Sequence, residues 1–247
     1  MKAIILAAGK GKRIESETAQ IPKHLRKVAG KPVLQYVLDA IDFIDKKDII
    51  IVVGYLKEMI MDAFSEYNFV IQKEILGTGY AVKCTKDNLE GYKGDVLIIP
   101  GDTPLLEKDT LEKFIKYHQD NKNHCTVLSC FNEEQLQLGR IIRDSKDSEK
   151  FLAIVEDKDC TPEQKNIREY NTAVMIADSE KLFEELENLK NNNNNKEYYL
   201  TDVPALFLEK NYKTGVYKTE NQNEIFGVNT LEELQIVEKI IFDANSK

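Results

Sequence analysis

The amino-acid sequence predicts an α/β fold around a mainly parallel sheet, and three observations carry that prediction. Apolar runs that suit buried strands stand at Ala3 to Ala8 and Ile49 to Val53, and further strands are read at Phe69 to Gln72 and Asp95 to Ile99. Helix-period segments separate successive runs, and their lengths suit the right-handed crossovers that parallel strands require. With 247 residues, 42% of them hydrophobic, the chain can build the core of one large domain or two small ones.

Taken in order, the first run ends at Gly9. Within five residues the chain then supplies Gly9, Gly11 and the cations Lys10, Lys12 and Arg13. A buried strand entering a glycine-rich basic turn suits a polyphosphate, because glycines let backbone N–H groups approach the oxygens while cations neutralise them. The turn is not a P-loop, which needs a second Gly-Lys-Ser/Thr. Ile14 also stands where a dinucleotide fingerprint needs its last glycine, which argues against a dinucleotide-dependent oxidoreductase. Pro32 opens an amphipathic helix carrying Val33, Val37, Leu38 and Ile41. Gly54 ends the second strand, and a helix from about Leu56 to Phe64 leads into the third. Leu76-Gly-Thr-Gly79 opens a helix through about residue 88. Pro100-Gly101-Asp102 breaks the fourth strand before a helix from about Lys108 to His118.

The second half is more mixed. His124 to Phe131, Gly139 to Asp144, Phe151 to Asp157 and Ile167 to Ala177 read as strands without intervening helices, which predicts an antiparallel subregion laid over the sheet. A helix at about 179–190 ends in the low-complexity run Asn191 to Asn195, read as a solvated loop. Tyr198 to Leu208 reads as helical. The capping box Thr230-Leu-Glu-Glu233 starts the last helix, which carries Leu231, Leu234, Ile236, Val237, Ile240 and Ile241.

Charge and composition narrow the function classes. A net charge of −8 argues against a general nucleic-acid or membrane-surface binder. No apolar run approaches the ~18 residues of a membrane span. The N-terminus enters a strand directly, so a cytoplasmic location is expected. Cys84, Cys125, Cys130 and Cys160 show no Cys-x-x-Cys pairing and read as buried thiols in a reducing compartment, and His24, His118 and His124 read as surface imidazoles. In a parallel sheet, ligands bind outside the carboxyl ends of the strands, so Gly9, Gly54, Gln72 and Asp102 are expected on one rim.

The order of the motifs carries a resemblance. Leu6-Ala-Ala-Gly-Lys-Gly-x-Arg13, Pro22-Lys23 and Gly30-Lys-Pro resemble the sugar-nucleotide pyrophosphorylases of the nucleotidyltransferase family. The narrower motifs are Gln72-x-x-x-Leu-Gly-Thr-Gly79, Gly101-Asp-x-Pro-Leu105, Gly139-Arg-Ile, Ile154-Val-Glu-Asp-Lys158, Tyr170-Asn-Thr, Glu197-Tyr-Tyr-Leu-Thr-Asp202 and Gly227-Val-Asn-Thr230. They are similar to the uridylyltransferase domains of the bacterial bifunctional N-acetylglucosamine-1-phosphate uridylyltransferase/glucosamine-1-phosphate acetyltransferases, in order along essentially the whole chain.

That resemblance implies a Rossmann-like nucleotidyltransferase of one domain over 1–247. Roughly 1–120 would be its nucleotide-binding half, 121–230 its sugar-binding half with the small antiparallel subregion, and 231–247 a C-terminal helix. UTP and a sugar 1-phosphate would be the small-molecule substrates, with Mg2+ as cofactor. Leu6, Ala8 and Gly9 would border the nucleotide, Arg13 and Lys23 would hold its phosphates, and Gln72, Gly77 and Thr78 would receive the uracil. Asp102 and Asn229 would bind the metal, and Gly139, Glu156 and Asn171, together with Asn229, would hold the sugar. The alternatives are the same chemistry on another sugar phosphate or nucleotide, and a catalytically silent nucleotide-sugar sensor.

The chain departs from the family pattern at Lys12, where Thr is frequent, at Pro100, where an aromatic is common, and at Ala173, where Gly is usual. One residue is inserted before Pro22. No motif resembles the hexapeptide-repeat half that carries the acetyltransferase and forms the family's trimer. Acetyl transfer is therefore not expected, and a monomer or weak dimer is.

Overall fold

The computed structural model describes residues 1–14 and 20–245. The last two residues of the expected C-terminal segment lie outside them, as do residues 15–19 of the stretch before Pro22. In chain order the strands and helices are β1 (Lys2–Ala7), β2 (Lys27–Val28), β3 (Lys31–Pro32), α1 (Val33–Ala40), β4 (Ile49–Val53), α2 (Lys57–Ala63), β5 (Asn68–Ile71), α3 (Thr78–Lys83), β6 (Asp95–Pro100), α4 (Lys108–Asp120) and β7 (Cys125–Phe131). They continue with β8 (Arg140–Arg143), β9 (Phe151–Val155), β10 (Glu169–Asp178), α5 (Ser179–Leu186), α6 (Val203–Glu209), β11 (Thr214–Thr219) and α7 (Leu231–Asn245).

The main sheet runs β11-β7-β10-β6-β1-β4-β5. Its β6, β1, β4 and β5 are parallel neighbours, and β11 pairs parallel with β7. β10 runs against both its neighbours on this path, β6 and β7. Residues alternate between the two faces along each strand, so the sheet carries a core on either side. Ile4 packs on one side with residues of α3, α5 and α6, while Ala3 and Ile5 pack on the other with residues of α1, α2 and α4. A smaller cluster joins Ile14, Val28 and Val33 to Val228 and Val237 of the C-terminal segment.

The mainly parallel α/β class holds, and several local expectations change. The antiparallel strands do not lie over the sheet. β7 and β10 are built into it edge to edge, and β8 with β9 forms a hairpin that joins β10 where Tyr170 pairs with Arg140. α3 stops at Lys83 rather than near 88, and the Thr85 hydroxyl donates to the Val82 carbonyl just beyond the helix end. Tyr198 and Tyr199 are not helical: the Tyr198 backbone is bonded to Leu76 and Gly79, and the helix proper starts at Val203 with Pro204 in its first turn. The capping box is made as expected: Glu233 N donates to Thr230 Oγ1 at 3.1 Å, and Thr230 N donates to Glu233 Oε2 at 3.0 Å. His24 and His118 are buried rather than at the surface. His118 Nδ1 lies 2.7 Å from Thr126 Oγ1 and is satisfied within the core. No helix among the described residues is long and apolar enough to cross a membrane.

Candidate active site

Parallel strands put their carboxyl ends on one edge, and there a cleft of about 370 Å³ opens. Leu6 near the end of β1 and Ala8 and Gly9 just after it, Gln72 after β5, and Pro100, Asp102 and Thr103 at the end of β6 line one end of it. Glu156 after β9, Asn171 and Ala173 in β10, and Thr201 line the other, with Gly227 and Asn229 closing from the C-terminal side. Gly54 is not in the lining. It lies beneath the loop, where a Cβ would come 2.7 Å from the Ala8 carbonyl, so its role is to let Ala8 sit close to β4.

At the first end, Lys23 is the hub. Its ammonium is ion-paired to Asp102 Oδ2 and donates to Asn229 Oδ1 at 3.2 Å. Two oxygens from residues 127 positions apart thus converge on one cation. Burial pushes the Asp102 carboxyl up, but the Lys23 charge and hydrogen bond outweigh it, and the net shift is downward. The carboxylate is held ionised. Beside it His24, buried and close to the Lys23 charge, has its pKa lowered to about 3 and stays neutral. Its place at the cleft is not legible from its residue type, although its neighbour Lys23 stands out in the sequence.

Gln72 is 4% exposed, and its Nε2 donates to the Gly77 carbonyl at 3.3 Å. Gly77 has φ +106°, and a Cβ there would lie 2.6 Å from the Tyr198 carbonyl. Only glycine fits. Gly79 N donates to Tyr198 O and Tyr198 N to Leu76 O, both at 2.8 Å. Leu200 N donates to the Thr78 hydroxyl at 3.1 Å. The segments Leu76–Gly79 and Tyr198–Leu200 are therefore one interlocked unit, although more than a hundred residues separate them.

At the other end, Thr201 Oγ1 donates to Glu156 Oε1 at 2.9 Å. Burial raises the Glu156 carboxyl against that hydrogen bond, with the charges of Asp202 and Asp159 adding to the rise. Gly139 is not in the lining but backs it: its carbonyl accepts from Asn171 N at 2.8 Å, and a Cβ there would lie 3.6 Å from Glu156 Oε2. Asn171 Oδ1 accepts from Ala173 N at 3.1 Å, leaving its Nδ2 as the group free to donate into the cleft. Ala173 has φ +63°, a left-handed conformation that favours glycine, and β10 shifts register between Asn171 and Met175 at this point. Buried Arg140 braces the wall from behind, with Nη1 3.0 Å from Asp157 Oδ1 and its guanidinium over the Tyr170 ring.

Arg13 is not brought into the lining. Ile14 is drawn into the cluster with Val28 and Val237, and Arg13, one residue earlier in the same turn, is exposed. No cluster of three metal-ligating His, Cys, Asp or Glu side chains occurs among the described residues.

Residues 3–202 match the MobA-like NTP transferase domain. The chain belongs to that family. It is 40% identical over 242 residues to the bifunctional protein GlmU of Alkaliphilus metalliredigens (strain QYMF), covering 98% of this chain and 52% of that protein. It is 39% identical to the bifunctional protein GlmU of Streptococcus agalactiae serotype V, over 97% of this chain and 51% of that one. The chain thus spans about half the length of the curated relatives it matches. A crystal structure described as a glucose-1-phosphate thymidylyltransferase from Bacillus anthracis, in complex with a sucrose, superimposes with a TM-score of 0.75 at 20% identity. That alignment covers 98% of this chain and 96% of the other, and it establishes a shared fold.

Proposed function

We propose that the protein is a uridylyltransferase converting UTP and N-acetylglucosamine 1-phosphate into UDP-N-acetylglucosamine and pyrophosphate, acting as a monomer or weak dimer. The observation that carries the reading is a single cleft with the Lys23–Asp102–Asn229 cluster at one end and the Glu156–Asn171 pair at the other. A nucleotide sugar carries its base and phosphates to one side of its sugar, and this division of polar groups between the two ends suits it.

Uracil presents an N–H between two carbonyls, which the Gln72 amide and the backbone of Gly77 and Thr78 can match. Glu156 accepts from sugar hydroxyls and Asn171 Nδ2 donates to the acetamido or hydroxyl oxygen. A phosphate oxygen of the sugar phosphate attacks the α-phosphorus of UTP in line, one P–O bond forms, and the bond to pyrophosphate breaks. The attacking group is already an anion, so no side-chain base is required. Catalysis rests on positioning and on neutralising charge. Asp102 and Asn229 would hold Mg2+: one carboxylate and one amide oxygen aimed at a common point, completed by water and substrate phosphates, are the donors this ion prefers. Bound there, the ion would supply neutralisation of the phosphate charges as the two anions approach. Lys23, displaced from that point, reaches the same phosphates as a movable cation, and Arg13 at the exposed turn serves the far end of the triphosphate.

A pyrophosphate-release assay over a matrix of nucleotides and sugar 1-phosphates tests the reading. The expected result is the highest kcat/KM for UTP with N-acetylglucosamine 1-phosphate. Equal kcat/KM for glucose 1-phosphate would remove the sugar assignment, and binding of nucleotide sugars without turnover would make the protein a sensor.

A further inference from the structure

The run Asn191 to Asn195 has the composition of a solvated spacer, and most of its side chains are exposed. Three of its amides are nevertheless engaged. Asn193 pairs both ends of its amide with one residue: Nδ2 donates to Glu197 O at 2.6 Å and Oδ1 accepts from Glu197 N at 3.1 Å. Asn194 reaches across to the turn just after Glu156, its N donating to Asp159 Oδ1 at 3.1 Å and its Nδ2 to Lys158 O at 2.7 Å. Lys158 Nζ returns a bond to Asn195 Oδ1 at 3.0 Å. The run is therefore fastened to the turn after Glu156 at one point and to the segment beginning at Glu197 at another. Glu156, Glu197 and Thr201 all line the cleft.

We propose that Asn193, Asn194 and Asn195, clasped to Lys158 and Asp159, are positioning residues that set the spacing between Glu156 and the Glu197–Thr201 segment, and through it the fit of the sugar phosphate. The inference rests on reading this end of the cleft as the sugar end. Asparagine suits the task because its short stem carries both a donor and an acceptor, and few rotamers are lost on fixing it. The opposite edge of the same segment is held independently by Leu76, Thr78 and Gly79. Loosening the clasp therefore lets the sugar wall drift while the nucleotide wall keeps its place. Steady-state kinetics separates these two effects, whereas a general loss of fold would move both.

The experiment compares the full chain with an Asn194→Ala/Asp159→Ala double variant and with Asp159→Asn, measuring kcat, both KM values and Tm. The double variant is expected to raise the KM for N-acetylglucosamine 1-phosphate by about 5–10-fold, the scale of one or two lost hydrogen bonds. KM for UTP should stay within about twofold, since no nucleotide contact is touched. Asp159→Asn keeps the acceptor for Asn194 N while removing the charge, so it should remain near wild type and rule out an electrostatic cause. An unmoved sugar-phosphate KM, or both KM values rising together, would overturn the proposal. If the double variant does not fold, Lys158→Ala removes only the exposed bond to Asn195; it should show a smaller rise of the same kind, and no rise would overturn the proposal equally. A wild-type chain inactive on every sugar 1-phosphate would overturn both the sugar reading and the clasp. Activity with unchanged KM values in the variants would overturn the clasp alone.

Discussion

The two ends of the cleft are built by different means. The end at β1, β5 and β6 is made from residues lying just beyond strand ends: Gly9 after β1, Gln72 after β5 and Asp102 after β6. The sheet aligns them, and each needs only its own strand to be in place. The end at β8, β9 and β10 has no such frame. Glu156 follows a hairpin strand, Asn171 sits in a bulged antiparallel strand, and Thr201 lies in an irregular segment joined to Glu156 by a side-chain hydrogen bond. An edge of parallel strands gives rigidity at little cost in sequence, while clasped segments give a wall that a few substitutions can reshape. The first end should therefore answer to mutation mainly in rate and nucleotide choice, and the second mainly in choice of sugar phosphate.

The sharpest test of that division is Asp102→Asn, which keeps the side-chain size and removes the charge opposite Lys23. It should lower kcat by roughly 10²-fold or more, on the scale of losing one electrostatic stabiliser. Because Asp102 and Lys23 are largely buried, some stability should be lost as well, measurable as a drop in Tm. Near wild-type turnover at ordinary Mg2+ would remove Asp102 from the machinery.

Gln72→Ala comes next in size. If Gln72 reads the base as proposed, its loss leaves polar groups unpaired, so use of UTP should weaken by about 1–3 kcal/mol, with relaxed discrimination against CTP. Nucleotide selectivity unchanged in that variant would reduce Gln72 to a buried strand end.

Glu156→Gln probes the second end through pH. Burial raises this carboxyl above its ordinary value of 4.5 in the folded protein. As pH rises from that ordinary value through the folded one, the unfolded chain releases its proton first, so Glu156 costs stability above this window and costs none below it. The glutamine variant lacks the titration. Its Tm relative to wild type should therefore be higher at pH 7 than at pH 4, while its KM for the sugar phosphate rises and that for UTP does not. A Tm difference that does not change between the two pH values would contradict the burial argument.

The smallest expected effect is at Ala173. Replacing it with glycine relieves a left-handed residue and should stabilise the fold by about 0.5–1 kcal/mol, part of the gain being offset by the freer unfolded chain. It also removes a methyl from the cleft wall, so the ratio of kcat/KM values for different sugar phosphates should shift. A loss of stability would mean that the methyl packs rather than strains.

How far the sequence can be read obeys the same division. β1, β4 and β6 announce themselves as apolar runs because both their faces are buried, and the glycines and Asp102 that end them are visible for the same reason. β11 carries no such mark. Thr214–Thr219 is a half-buried edge strand with a glycine and a lysine in it, and its identity depends on pairing with β7, far away in the chain. The insertion of β10 between β6 and β7 is equally a matter of distant partners, and a run of strands without helices does not say whether they join a sheet or lie over it. His24 reads as a surface residue because an imidazole is usually solvated; only its neighbours make it buried. Gly77, Thr78 and the Tyr198–Leu200 segment are each visible as motifs, but that they hold one another is not. Motifs show which residue types are present. Mutual contact is a property of the fold.

The meeting of Lys23, Asp102 and Asn229 has a consequence for the chain as it is made. Synthesis runs from the N-terminus, and early segments can begin to fold before later ones emerge. Lys23 and Asp102 are available once the first half of the sheet exists, but their third partner lies beyond β11 and comes only at residue 229. A nascent chain that has formed β1, β4, β5 and β6 therefore has Lys23 and Asp102 before it has this three-residue cluster. The cluster closes only after β11 and the segment beyond it have been made, so the charged centre is completed later than the strands that frame this end of the cleft.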